Sequence, residues 1–206
     1  ALSSAASDVY KRQITALGLS GIVFVSNVVQ KHIEYAVSQK IPCVLVNSYS
    51  DKLPSVLSDN RKGAYLAGRY LIEHGHKTVA LLAGVRSYLS NQERTAGFLQ
   101  AFQEEGLSIP PELILETGSW LYDAAEKVCL NFFNTYTGEM PTALFAFNDR
   151  LATGAINAIC KTGRTVPDDV SVIGYDNLGY YNIISPRITT VETHIEAISE
   201  STVMHM

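Results

Sequence analysis

Two hydrophobic periods alternate along this chain, and that alternation restricts the fold more than any other feature. Short apolar runs occur at residues 21–26 (GIVFVS), 41–47 (IPCVLVN), 78–83 (TVALLA), 113–116 (LILE), 143–147 (ALFAF) and 170–175 (VSVIGY). Most are apolar at successive positions, as strands covered by helices on both faces must be. Between them the period lengthens. Leu121, Ala124, Ala125, Val128, Cys129, Phe132 and Phe133 follow the i, i+3, i+4, i+7 spacing of one buried helix face. Ala64, Ala67, Gly68, Leu71 and Ile72 do the same, as do Ala152, Ala155, Ile156, Ile159 and Cys160. Strand and helix in regular alternation require right-handed crossovers, so the fold class is α/β with a mainly parallel sheet. Gly75 and Gly163 follow two of the helices, and Pro167-Asp168-Asp169 is a turn that leads into VSVIGY.

Composition narrows the function classes. With 206 residues, 47% hydrophobic and 17% charged, the chain is a globular protein able to bury a sizeable core. A net charge of −4 leaves it without the basic excess that displaces counterions from duplex DNA. No apolar run approaches the ~20 residues of a membrane span, and the first residues lack the apolar middle of a signal peptide, so no membrane partner and a cytoplasmic location are expected. Cys43, Cys129 and Cys160 are scattered through apolar patterns and read as buried structural thiols.

In an open parallel sheet the ligand crevice lies beyond the carboxyl ends of the strands. Ser90 and Arg94 follow TVALLAG, Trp120 follows LILETG, Asn148-Asp149 follow ALFAF, and Asp176-Asn177 follow VSVIGY. An arginine, a carboxylate, an amide and an indole on one rim suit a polyhydroxylated ligand, because charged groups take hydroxyl pairs and an indole covers the apolar face of a ring. Each also has a structural reading. Asp149 reads first as the N-cap of the helix after it, and Ser90 could be a cap. Trp120 reads equally well as core, and Arg94 could pair with Asp176.

Other motifs add little. His74 and His76 flank a helix-ending glycine without a third ligand at metal spacing, so no metal is expected. Neither a dinucleotide loop, a P-loop nor a nucleophile elbow occurs, so no cofactor and no enzymatic activity are expected.

Several ordered segments resemble the effector-binding core of LacI/GalR-type bacterial transcription regulators: SDNRKGAYLAGRYLIEHGH (58–76), GHKTVALLAG (75–84), ERTAGF (93–98), ALFAFNDRLATGAINAI (143–159), VPDDVSVIGYDN (166–177) and PRITTVE (186–192). The resemblance covers residues 19 to about 191. It implies a two-lobed periplasmic-binding-protein-like fold, with a small molecule held in the cleft between two α/β subdomains, and a homodimer. By position it makes Arg94, Asp176, Asn148, Ser90 and Trp120 the effector-binding residues, with Asn47 the corresponding rim position of the other subdomain. Thr193 stands where the family often has a glutamine that reaches the ligand.

On this reading residues 1–13 (ALSSAASDVYKRQ) are a leader foreign to the family, 14–57 a partial N-terminal subdomain, 58–190 the C-terminal subdomain, and 191–206 the return to the first lobe. The family's helix-turn-helix headpiece has no counterpart in the sequence, so contact with operator DNA would need a head outside these 206 residues. The expected function is effector sensing, with a sugar favoured over a purine. The competing reading is a periplasmic sugar-binding protein of a transport system. An incomplete N-terminal lobe would expose strand edges and apolar faces, so poor solubility or a partly molten lobe is expected.

Overall fold

The computed structural model describes residues 16–26, 28–179 and 187–206. Residues 1–13, expected to be a leader, and Pro186 of the PRITTVE run lie outside the described residues. The sequence divides the chain at 57/58 and 190/191. Spatial contacts divide it into one unit of residues 1–58 with 194–206, and a second of 59–193.

The first unit contains strands β1 (Ile22–Val25), β2 (Cys43–Val46) and β3 (Ser55–Val56), all parallel, in the order β1-β2-β3. Helix α1 (Gln30–Ser38) links β1 to β2 and turns Ile33 and Ala36 inward at helical spacing. Lys40, at φ 56°, reverses the chain after it. The core is small: Phe24, Ile33, Ala36, Cys43 and Leu45. β2 is buried on both faces, but β1 is not, and its Val23 and Val25 face out at 42% and 63% exposure. A helix at residues 195–204, called α6 below, packs against β2 and β3 and buries only Thr202.

The second unit is a five-stranded sheet of β4 (Val79–Ala83), β5 (Ile114–Glu116), β6 (Ala143–Ala146), β7 (Ser171–Asp176) and β8 (Thr189–Glu192). Every pairing is parallel, and the order is β5-β4-β6-β7-β8. The chain steps outward from β4 to β5 and then crosses back to β6, so the strand order reverses between β4 and β6. Crevices open at such a reversal because the flanking crossovers leave in opposite directions. Helix α2 (Asn60–Glu73) packs along α3 (Leu89–Glu104), and α4 (Tyr122–Thr135) along α5 (Asp149–Lys161). Successive residues of β7 show that the sheet is covered on both faces: Gly174 abuts Asp149 and Ala152 of α5, whereas Tyr175 lies against Gly63 of α2. The core is aromatic, with Phe98 stacked on Phe102 and on Phe145 at ring separations of 5.0 and 4.9 Å. Each fully buried ring or leucine contributes about 1.5–3 kcal/mol relative to an exposed one.

Two expectations from the helical period need correction. Leu121 is not on the buried face of α4; it precedes the helix and is 54% exposed. Cys160 is exposed near the end of α5, and only Cys43 and Cys129 are buried. Burial pushes the Cys129 thiol up to about 12, so it stays a neutral apolar group. Among the described residues no helix is long and apolar enough to cross a membrane.

Helices α2 and α3 approach until backbone meets backbone. A Cβ at Gly97 would stand 2.0 Å from the Arg61 carbonyl oxygen, and one at Gly68 would stand 2.8 Å from Ala101 Cβ. Gly97→Ala should therefore force the helices apart and destabilise the protein by at least about 1–3 kcal/mol, read from the urea midpoint; an unchanged midpoint refutes the packing argument. The small core that the described residues of the first unit form predicts that amides of β1 and β2 exchange with deuterium well before those of β4 and β6. Equal protection in the two sets would contradict that.

Candidate functional site

One buried cation ties the carboxyl ends of β6 and β7 to the start of α2. Arg94 lies on α3, where the helix phase turns it inward, and is only 7% exposed. Its Nε donates to Asn60 Oδ1 at 2.9 Å, Nη2 to Asp176 Oδ1 at 3.2 Å, and Nη1 to the Phe147 carbonyl. The guanidinium carbon sits 3.6 Å from the centre of the Tyr175 ring, so the plane of the cation is covered as well as its edge. Asn60 in turn donates through Nδ2 to Glu93. Of the two readings open for Arg94 and Asp176, the ion pair is formed.

Asp176 reaches the arginine because the chain breaks out of β7 there. Its φ is 102° and that of Asn177 is 52°, both in the left-handed region. Thr193 Oγ1 donates to the Asp176 carbonyl, and Asn177 donates to Glu192, which together tie this turn to the end of β8. Burial pushes the Asp176 carboxyl up to about 6. The Arg94 charge opposes that shift and the Asp149 charge adds to it.

The expected role of Asp149 as an N-cap is not what forms. Asn148 caps α5, its Oδ1 accepting from Leu151 N at 2.7 Å. Asp149 is 2% exposed and serves as an internal acceptor, taking hydrogen bonds from Thr190 Oγ1 at 2.5 Å and Leu178 N at 3.1 Å. Burial raises its pKa, and these donors hold it down. Ser90 is not a cap either, since Tyr88 occupies that position of α3 and Ser90 lies half-buried in the first turn.

Trp120 lies across the β4 exit. A Cβ at Gly84 would be 2.5 Å from its Cε3, its ring centre is 5.8 Å from that of Tyr88, and its carbonyl accepts from Asn148 Nδ2 at 3.4 Å. The ring packs against the core, yet its buried Nε1 has no hydrogen-bond partner among the described residues. Gly84 N donates to Asn91 Oδ1 at 2.9 Å, which fixes the start of the β4–α3 loop.

Arg94 and Asp176 thus meet directly, and Trp120 meets Asn148 at the sheet reversal. Ser90 shares the first turns of α3 with Arg94. Asn47 belongs to the first unit; at φ 52° its Oδ1 accepts from Ser58 N and Oγ at 3.1 and 3.0 Å. Sequence reasoning missed Asn60, Asn91 and Tyr175. Tyr175 and Asn60 lie inside the quoted motifs 166–177 and 58–76, and their apposition to Arg94 follows from the sheet, not from sequence spacing. Among the described residues no group of His, Cys, Asp or Glu could hold a metal ion.

The chain is similar to several known proteins. Residues 69–204 match the family described as a periplasmic binding protein-like domain. The chain is 32% identical over 196 residues to a probable HTH-type transcriptional repressor, ExuR, of Bacillus subtilis, a match spanning 90% of this chain and 56% of the relative. It is 41% identical over 142 residues to the HTH-type transcriptional repressor PurR of Vibrio parahaemolyticus, spanning 69% of this chain and 42% of the relative. The chain therefore spans about half the length of the curated relatives it matches. A LacI-family regulatory protein of Chloroflexus aggregans superposes with a TM-score of 0.83 at 26% identity, over 96% of this chain and 71% of that one. A LacI-family regulator of Enterococcus faecium, solved with bound ribose, gives 0.84 at 25% identity, over 97% and 74%.

The raised pKa of Asp176 makes stability depend on pH with a definite sign. Its folded value of about 6 lies above that of an unfolded aspartate, ~3.9. The contribution is therefore fully present below about pH 4 and lost as pH rises through 6, by on the order of 3 kcal/mol. Melting curves from pH 4.5 to 7.5 should show the difference in stability between wild type and Asp176→Asn shift across that window; a constant difference would mean Asp176 titrates normally.

Proposed function

The chain belongs to the periplasmic-binding-protein-like family that LacI-type transcriptional regulators carry, and we propose that it is the effector-sensing core of such a repressor. It binds a small polyhydroxylated molecule, a sugar, at the carboxyl ends of the second unit's strands, through Arg94, Asp176, Asn148, Ser90 and Trp120. The observation that carries this reading is the buried Arg94–Asp176 pair beside the reversal of strand order. A guanidinium and a carboxylate held that way offer a donor fork and an acceptor at fixed spacing, which suits a vicinal diol. The unpaired Trp120 N–H adds a donor whose burial without a partner costs about 1–3 kcal/mol until a ligand oxygen accepts from it. The ribose bound to the Enterococcus faecium regulator supports the ligand class.

The mechanism follows from differential binding. A ligand that makes these hydrogen bonds in only one conformation of the protein shifts the population toward it, and a homodimer passes that bias to DNA-reading heads in the intact cytoplasmic regulator. No chemical step is needed, so the site acts without turnover. Net charge also supports this division of labour, since −4 suits a sensing core and leaves the basic surface to the DNA-reading head.

Calorimetry with ribose, other pentoses and hexoses, and nucleobases tests the reading. At least one sugar should bind, and Asp176→Asn and Arg94→Ala should each weaken it by about 2–5 kcal/mol. Binding of nucleobases alone would overturn the ligand class. Unchanged affinity in both variants, each shown to be folded by circular dichroism, would remove the pair from the site.

A further inference from the structure

The second unit holds a cavity at the opposite end of its sheet from Arg94 and Asp176. It measures about 210 Å³ and lies where α2 ends and β7 and β8 begin. Leu71, Val172 and Ile173 form apolar walls, while His74, His76 and Arg187 supply the ionisable groups. Among the described residues no aspartate or glutamate lines it. In a chain of net charge −4, a recess whose titratable groups among the described residues are an arginine, two histidines and a tyrosine departs from the average surface.

The carbonyls that end α2 do not cancel this positive character, because they are already bonded. The Ile72 carbonyl accepts from Gly75 N at 2.9 Å and the Leu71 carbonyl from His76 N at 3.0 Å. The Tyr70 carbonyl accepts from His74 Nδ1 at 2.7 Å. A carbonyl can only accept, so Nδ1 of His74 carries the proton and Nε2 is the ring nitrogen left to face a ligand. The His74 ring is held against Tyr70, with ring centres 4.1 Å apart, and His76 is held by Thr142 Oγ1 at 2.9 Å. Both imidazoles are therefore fixed in orientation before anything binds. Burial, and then the neighbouring His74, hold His76 below its usual titration range, and a nearby negative charge would relieve both effects.

We propose that this cavity is a second binding site, for a small organic carboxylate whose apolar body is about the size of a benzene ring. Size sets the class: an apolar cavity of about 150 Å³ takes benzene, so the 210 Å³ here leaves room for the ring and a carboxylate. Charge sets the sign, with Arg187 and the two imidazoles as donors and, among the described residues, no carboxylate lining the cavity to compete. The site is separate from the sugar site proposed above but joined to it by one rigid element. Helix α2 begins at Asn60, which bonds Arg94, and its C-cap is His74; its length is roughly 20 Å.

Benzoate is the probe, with benzamide as its neutral isostere, each titrated into the full 206-residue chain and followed by NMR. Benzoate should shift the ring resonances of His74 and His76 with saturable, millimolar affinity and leave the indole N–H of Trp120, a unique reporter, in place. Benzamide should bind at least about fivefold more weakly, and Arg187→Gln, a change at an exposed side chain, should weaken benzoate by a similar factor. Equal binding of benzamide, or indifference to Arg187→Gln, would reduce the cavity to a plain apolar recess and overturn the proposal. A shift of Trp120 in place of the histidines would assign benzoate to the strand-end site and overturn it too.

Discussion

Burying one guanidinium imposes most of the order at the strand ends of the second unit. A cation removed from water costs several kcal/mol unless every donor finds an acceptor, and the partners of Arg94 come from three separate elements. Asn60 opens α2, Phe147 ends β6, and Tyr175 and Asp176 end β7. Those elements can satisfy Arg94 only in their native relative positions. The arginine therefore checks the packing of α2 against α3 and the register of β6 against β7 together. The left-handed turn at Asp176 and Asn177 belongs to the same requirement, since an extended chain would carry the carboxylate past the guanidinium.

Asp149 supports that turn from beneath. It is buried, accepts from Leu178 N and Thr190 Oγ1, and so holds the β7 exit against β8. Its charge also faces Asp176 and contributes to the raised pKa there. Two carboxylates near one guanidinium leave a net negative excess, which repels an anionic ligand and tolerates a neutral polyol. The cavity at the other end of the sheet has the opposite balance. The two ends of the second unit's sheet therefore differ in electrostatic character, and the difference comes from a few residues, not from overall charge.

The alternation of periods made the strands, most helix faces and the parallel arrangement legible, because burial on both faces leaves its mark at every position of β4 and β6. Strand ends likewise pointed to Arg94, Asp176 and Trp120. What stayed hidden was decided by tertiary contact. Asn148 and Asp149 are neighbours with equal claims to a cap, and only the approach of Thr190 and the β7 exit assigns one to the helix and the other to the interior. Asn60 looks like an ordinary first-turn residue until α3 brings Arg94 beside it. Cys160 follows the helical period, yet it falls where α5 has run past its cover. β3, only two residues long, and β8, with mixed polarity, carry too little apolar pattern to announce themselves as strands.

Helix α2 gives the second unit a means of relating its two ends. Its first residue touches the arginine, its last carbonyls are locked by His74, Gly75 and His76, and glycines at 68 and 97 press it against α3 without a compressible side chain between them. A helix held at both ends and along its length cannot bend to absorb a displacement at one end. A shift at Asn60 must either move the whole element against α3 or break a hydrogen bond at Arg94. Rigidity of this kind turns a local ligand contact into a choice between discrete arrangements, which is the physical condition for coupling between sites.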